Sequence, residues 1–197
     1  ERAASDLAIL MYTSGSTGTP KGVMHSFGHI TRASENISLD IKSRIGNRES
    51  NRVLSYLPLA HVFERAWVEC ASMVDGKTHV YFAETLDTFV QDMNRARPTI
   101  FISVPRLWLK FQHGVFSKMP PKKLDRLLSI PIIKGIVGRK ILKGLGLDQC
   151  LLAGSGSAPI PAELITWYRR LGLNLIEGYA MTEDFAYSHN STEAINA

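Results

Sequence analysis

Short apolar runs alternate with helix-period segments along nearly the whole chain, and that alternation restricts the folds open to it. Residues 7–11, 52–57, 78–82, 99–104, 149–153 and 173–177 read as strands. Between them, residues 25–45, 62–74, 86–96 and 161–171 carry apolar side chains at helical spacing, with Gly46, Gly76 and Gly172 as stops. Repeated strand–helix–strand units predict an α/β fold, a mainly parallel sheet flanked by helices on both faces. Ligands of such sheets bind beyond the carboxyl ends of the strands. Three polar loops fall there, after Met11, Ala153 and Glu177, and are expected to gather on one edge.

The chain has 197 residues, 45% of them hydrophobic, enough to bury a core in one large domain. It starts without methionine and close to an apolar strand, which suggests a piece of a longer chain or a processed product. Cys70 and Cys150 form no motif and read as reduced thiols of a cytosolic protein. No stretch is apolar for the roughly 18 residues a membrane span needs, and no signal peptide is visible.

The net charge of +5 concentrates in residues 118–143, which carry eight bases against one acid, Asp125. Leucines and isoleucines interleave with them, and Pro131 divides the stretch into two helices. This is the pattern of solvated helices with one buried side, and also of a peripheral contact with an anionic membrane. No aromatic side chains are interleaved as a nucleic-acid surface requires, so nucleic acid is not an expected partner.

Residues 12–22, YTSGSTGTPKG, are rich in hydroxyls and glycines around one lysine. Such composition suits a flexible loop, or a cradle whose bare N–H groups and hydroxyls hold phosphate oxygens. It is not the nucleotide-kinase loop, because Pro20 stands at the second glycine and Gly22 at the magnesium-binding hydroxyl. The stretch GSGSAP (154–159) begins like a dinucleotide-binding turn, but Pro159 occupies its last glycine.

A third pattern fits far better, over eleven consecutive positions. The 12–22 stretch resembles the signature of the adenylate-forming (AMP-binding) superfamily of acyl-CoA synthetases, aryl-CoA ligases, luciferases and peptide-synthetase adenylation domains. LPLAHVFER (57–65) looks like that superfamily's proline-and-histidine segment, GSGSAP like its adenine loop, and EGYAMTE (177–183) like its Y-G-x-T-E motif. The Phe-Glu-Arg ending of the second motif and SVPRLWLKF (103–111) resemble the long-chain fatty acyl-CoA synthetases. The resemblance covers the chain but only the middle of the superfamily's large N-terminal domain. No Thr-Gly-Asp ribose motif, hinge or C-terminal domain is found, so the chain alone is expected to be inactive.

The resemblance implies a reaction and a set of roles. A carboxylate attacks the α-phosphate of ATP, giving acyl-adenylate and pyrophosphate, and the thiol of CoA then takes the acyl group. Thr13, Ser14, Gly15, Ser16, Thr17, Gly18, Thr19 and Lys21 would hold the β- and γ-phosphates, with Lys21 supplying positive charge. Thr182 would bond the α-phosphate and Glu183 bind Mg²⁺, for which one carboxylate plus phosphate oxygens suffices. Tyr179 would stack on adenine, against the backbone of Gly156, Ser157, Ala158 and Pro159. Glu177, Gly178, Ala180 and Met181 complete the nucleotide-binding set, Ala180 standing where most members have glycine. His61 would border the acyl carboxylate, and Trp67 would gate an acyl tunnel. Asp184 reads as a solvated surface residue, and His25 and His29 as structural residues opening a helix. The expected partners are a fatty acid, ATP and CoA, in the cytoplasm or peripherally at a membrane. An aryl-CoA ligase, another adenylate-forming enzyme, and a non-catalytic ATP- or acyl-binding module remain open alternatives.

Overall fold

Leu7–Thr13 (β1) and Lys21–Ser26 (β2) form an antiparallel hairpin in which Thr13 faces Lys21. The computed structural model describes residues 1–14 and 18–190, so Gly15, Ser16 and Thr17 lie outside the described residues. The expected helix at 25–45 therefore yields its first two residues to a strand. Ser26 takes the N-cap, accepting from the His29 N–H at 3.2 Å, and the helix (α1) runs from Phe27 to Ile45. Ala33, Ile37 and Ile41, at helical spacing, form its buried face.

The chain divides into two units. The first comprises Glu1–Asn51, Ser55–Val80 and Tyr179–His189. Besides the hairpin and α1 it holds a π-helical segment, Glu64–Cys70, followed by Ala71–Asp75 (α2), where the sequence predicts one helix over 62–74. Strands Asn51–Ser55 (β3) and Thr78–Phe82 (β4) start here, and the Asn51 N–H donates to the Lys77 carbonyl at 3.0 Å. Ala66, Trp67 and Val68 are buried on the π segment.

The second unit comprises Arg52–Leu54, Tyr81–Gly178 and Asn190. It contains Phe89–Ala96 (α3), Ile100–Ser103 (β5), Pro105–Lys118 (α4), Pro121–Leu128 (α5), Pro131–Gly144 (α6), Leu152–Ser155 (β6), Ala162–Leu171 (α7) and, except for its last residue, Leu175–Tyr179 (β7). With His189–Asn190 (β8), the sheet order is β5-β6-β7-β8, and β5, β6 and β7 are parallel. The α/β class read from the sequence is the class observed. Each of α4, α5 and α6 has proline in its first turn, where the missing N–H costs no hydrogen bond.

Strands β6 and β7 both begin two or three residues later than the apolar runs predict. Helix ends consume those residues. Leu147 N–H returns to the Leu142 carbonyl at 2.8 Å and Cys150 N–H to the Leu147 carbonyl at 3.1 Å, so residues 149 and 150 belong to a turn. Leu173 N–H returns to the Tyr168 carbonyl at 3.1 Å, closing α7 around Gly172.

An aromatic cluster fills the core of this unit. Trp108, fully buried, lies edge-on to Phe101, Phe111 and Tyr168. Its indole donates to the Gly154 carbonyl of β6 at 3.1 Å, and the Tyr168 hydroxyl donates to the Trp108 carbonyl at 2.7 Å. Burial pushes the Cys150 thiol up to about 12.

On α5 and α6 the inward side is Leu124, Leu128 and Leu142. Ile132 and Ile136, expected from their apolar character to join it, point outward and are 81% and 66% exposed. Among the described residues no helix is long and apolar enough to cross a membrane.

Candidate functional site

The hairpin carries the residues expected from the sequence to hold phosphate. Thr13 ends β1 and Lys21 begins β2, with Ser14, Gly18 and Thr19 exposed between them. Gly18 takes φ +80, a left-handed turn that an L side chain would strain. Lys21 is exposed and has no acidic partner among the described residues. Its ammonium is free to meet an anion.

Four residues further along β2, about 13 Å at the usual strand rise, His25 is buried and its Nδ1 lies 2.9 Å from Nδ1 of His29. One ring must donate and the other accept, so the two Nδ1 atoms share a proton. Burial, then the neighbouring His29, lowers the His25 pKa, while the Thr182 carbonyl and the charges of Glu183 and Asp184 act the other way. The strand that begins with Lys21 thus ends beneath the Thr182 motif.

That motif is a turn following β7. Sequence reasoning places Asp184 on the surface as a solvated acid. Instead it is half-buried, and its carboxylate accepts from the N–H of Met181 at 3.1 Å, from the N–H of Tyr187 at 3.1 Å and from the Ser188 hydroxyl. The short carboxylate side chain closes the turn as Asx side chains do. Glu183 points outward, exposed and without a basic partner among the described residues. The Thr182 hydroxyl makes no hydrogen bond among the described residues. Phe185 and Ala186 follow, both buried and both left-handed, with φ of 55° and 59°. Each such residue costs roughly 1–3 kcal/mol and persists only where surrounding contacts enforce it.

His61 lies on the same unit, after β3. Glu64, fully buried, clamps the approach: its Oε2 accepts from the Leu57 N–H at 3.4 Å. Burial raises the Glu64 pKa, against hydrogen bonds from Ser55, Leu57 and Tyr56. His61 N–H donates to the Pro58 carbonyl at 2.8 Å, and the His61 Nδ1 accepts from the Phe63 N–H at 3.2 Å. Burial lowers the His61 pKa, which favours the neutral ring. An accepting Nδ1 places the ring proton on Nε2, so His61 offers one N–H donor. Trp67 is buried, stacks on Phe63 at 6.1 Å, and donates from Nε1 to the Ala186 carbonyl at 2.8 Å. The π segment that follows His61 and the turn after β7 are therefore joined within this unit through Trp67 and Ala186.

The second unit holds the predicted nucleotide residues Gly156, Ser157, Ala158, Pro159, Glu177 and Gly178. β6 and β7 lie in parallel register with Ser155 opposite Glu177, so the chain leaves both strands side by side. Gly156 N–H donates to the Ser103 carbonyl at 3.0 Å, and a methyl at Gly156 would touch the Gly178 carbonyl at 3.5 Å. Ser157, not a glycine, takes the left-handed turn at φ 66°. Ala158 and Pro159 are exposed, and the Glu177 carboxylate accepts from the Ile160 N–H at 3.0 Å, fastening the loop's far end. Glu177 is a strand residue as expected, and the strand continues through Gly178 to Tyr179.

Tyr179, which ends β7, belongs to the first unit and is 61% exposed, its ring presented rather than packed. Ala180 and Met181 are exposed beside it. Ala180 is not among the residues with positive φ, so its methyl is accommodated without backbone strain. Sequence reasoning missed β2, the π segment and the closing role of Asp184. The spacing of Asp184 to Tyr187 and Ser188 was the available signal for the last.

A family model described as AMP-binding enzyme matches residues 1–195. The chain is 31% identical to the peroxisomal acyl-CoA ligase 891 of Penicillium brevicompactum, over 93% of this chain and 29% of that protein. It is 30% identical to long chain acyl-CoA synthetase 5 of Arabidopsis thaliana, over 92% of this chain and 30% of that one. The chain thus spans less than a third of the length of these curated relatives. Among solved structures, it is similar to the A-PCP didomain of the Segniliparus rugosus carboxylic acid reductase in complex with AMP. The TM-score is 0.71 at 28% identity, over 92% of this chain and 25% of that one.

Proposed function

The chain belongs to the AMP-binding enzyme family, and on that premise we propose that it supplies the phosphate, adenine and Mg²⁺ sites of a long-chain fatty acid–CoA ligase. The observation that carries this reading is the division of roles on the turn after β7. Asp184 is consumed in closing the turn, which leaves the Thr182 hydroxyl and the exposed Glu183 carboxylate free for ligand.

In this reading the first half-reaction joins two anions, so its barrier is electrostatic and positional. Lys21 and the loop N–H and hydroxyl groups draw charge onto the leaving pyrophosphate. The Thr182 hydroxyl donates to an α-phosphate oxygen, and the His61 Nε2–H borders the acyl carboxylate. Glu183 offers the hard oxygen ligand that Mg²⁺ takes together with phosphate oxygens and water, and bound Mg²⁺ neutralises phosphate charge. Tyr179 presents its ring for adenine, and the Gly156–Pro159 loop offers exposed backbone for the edge of the base. CoA then takes the acyl group in the second half-reaction.

Acid-dependent ATP–pyrophosphate exchange by the complete protein tests this, with short, medium and long fatty acids, benzoates and amino acids compared. Exchange should peak with long acyl chains. A peak with benzoates would make it an aryl-CoA ligase. Clear Mg-ATP binding with no exchange on any acid would make it a binding module without turnover.

The reading places the protein in the cytoplasm with a peripheral membrane contact at 118–143. Ile132 and Ile136 stand outward one turn apart on α6 among exposed Lys134, Arg139 and Lys140. Sedimentation should rise with vesicles containing anionic lipid. Equal sedimentation with neutral vesicles would remove the membrane contact.

A further inference from the structure

The two consecutive left-handed residues after Glu183 raise the question of what holds them. Two sets of contacts meet there, one at each residue. The Phe185 ring, fully buried, sits edge-on to His25 at 5.1 Å and tilted to His29 at 6.4 Å. The His25–His29 hydrogen bond fixes that socket. The Ala186 carbonyl receives the Trp67 indole N–H at 2.8 Å, and the indole is oriented by the stacked Phe63 ring. Within the turn itself, Phe185 N–H donates to the Thr182 carbonyl at 3.1 Å and Ala186 N–H to the Met181 carbonyl at 3.0 Å. Backbone displaced at 185 or 186 therefore displaces 181 and 182 with it.

We propose that Trp67 and Phe185 are positioning residues, which lock the left-handed Phe185–Ala186 pair and so hold the Thr182 hydroxyl and Glu183 carboxylate in place before Mg-ATP arrives. The π segment is part of the device, because its wider turn carries Trp67 to the Ala186 carbonyl. Neither ring needs to touch substrate. Each acts through backbone that unrestrained L-residues avoid. The proposal rests on the reading of Thr182 and Glu183 as the α-phosphate and Mg²⁺ groups. It gives Trp67 a different duty from the acyl gate that resemblance suggests, and the two duties differ in their kinetics.

The test is Trp67→Phe in the complete protein, which keeps one aromatic ring against Phe63 and removes the N–H together with the second ring of the indole. Loss of one buried hydrogen bond that enforces a strained turn should lower kcat for ATP–pyrophosphate exchange about tenfold and weaken Mg-ATP binding about as much. KM for the acid should stay unchanged. Amide hydrogen exchange across 181–187 should quicken about tenfold, with the amides of α7 unaffected. Adding Ala186→Gly, which removes the strain the indole opposes, should restore most of the lost kcat, a rescue that general destabilisation would not give. If Trp67→Phe yields no soluble protein, Phe185→Leu keeps every hydrogen bond, removes only the ring contacts, and is expected to change the same readouts.

Unchanged kcat, Mg-ATP affinity and amide protection would overturn the proposal. A raised KM for long acids with unchanged kcat and protection would also overturn it, and would make Trp67 the acyl gate. A wild-type protein that exchanges no acid defeats the functional reading separately. The lock is then decided by Mg-ATP affinity and amide protection: a loss of both in Trp67→Phe supports it and no change in either overturns it.

Discussion

Thr182→Ala and Lys21→Ala are each expected to lower acid-dependent ATP–pyrophosphate exchange by about 10²–10³-fold, the usual loss for one transition-state contact. Folding should be nearly unaffected. The Thr182 hydroxyl supports nothing else among the described residues, and Lys21 is an exposed strand end with no acidic partner there. The expected signature is therefore a lost rate with an unchanged melting temperature. Exchange measured beside thermal melting checks it, and near-normal exchange in both variants would refute the assigned roles.

The second large effect is on stability. Gly146→Ala is expected to destabilise the protein by about 2–5 kcal/mol, from a strained left-handed φ and forced overpacking together. Gly146 sits at φ +74 in the turn after α6, and an added methyl would lie 2.5 Å from the carbonyl carbon and oxygen of Met93 and 2.8 Å from the nitrogen of Asn94. All three are backbone atoms of α3, which cannot swing aside as a side chain can. A fall in melting temperature on the order of 10 °C should follow. Gly135→Ala is the control. It lies within α6 with nothing within 4 Å of the added carbon, and should gain up to about 1 kcal/mol from helix propensity. A small effect at Gly146 would mean that α3 and the turn move apart easily.

The fold class and most helices were legible because apolar periodicity survives wherever an element buries one face. Helices α1 and α7 are of this kind. Strand β2 was not legible for a physical reason. Its one fully buried side chain is His25, a polar residue, while Met24 is 71% exposed, so hydropathy runs opposite to burial. The π segment hid within a 3.6-residue pattern because one wide turn scarcely alters apolar spacing. The starts of β6 and β7 were misread because residues that close a helix can be as apolar as those that open a strand, as Leu173 shows. At the candidate site, residue types pointed to phosphate and cation chemistry. They did not tell Asp184, which closes a turn, from its neighbour Glu183, which faces solvent; only the hydrogen bonds around the carboxylates separate the two.

The hairpin has a consequence for how this chain tolerates changes of length. Thr13 and Lys21 are cross-strand partners, so the seven residues between them start and finish at neighbouring points on a ladder. Joining the ends of a free segment of that size costs on the order of 2 kcal/mol in chain entropy. The ladder meets that cost on folding. Lengthening the middle is correspondingly inexpensive, about 0.6 kcal/mol for a doubling. One residue inserted within β2 is a different matter: it would shift the register and turn either Lys21 or His25 to the opposite face. The roots of the hairpin, Thr13 and Lys21, therefore tolerate less change of length than the segment that joins them.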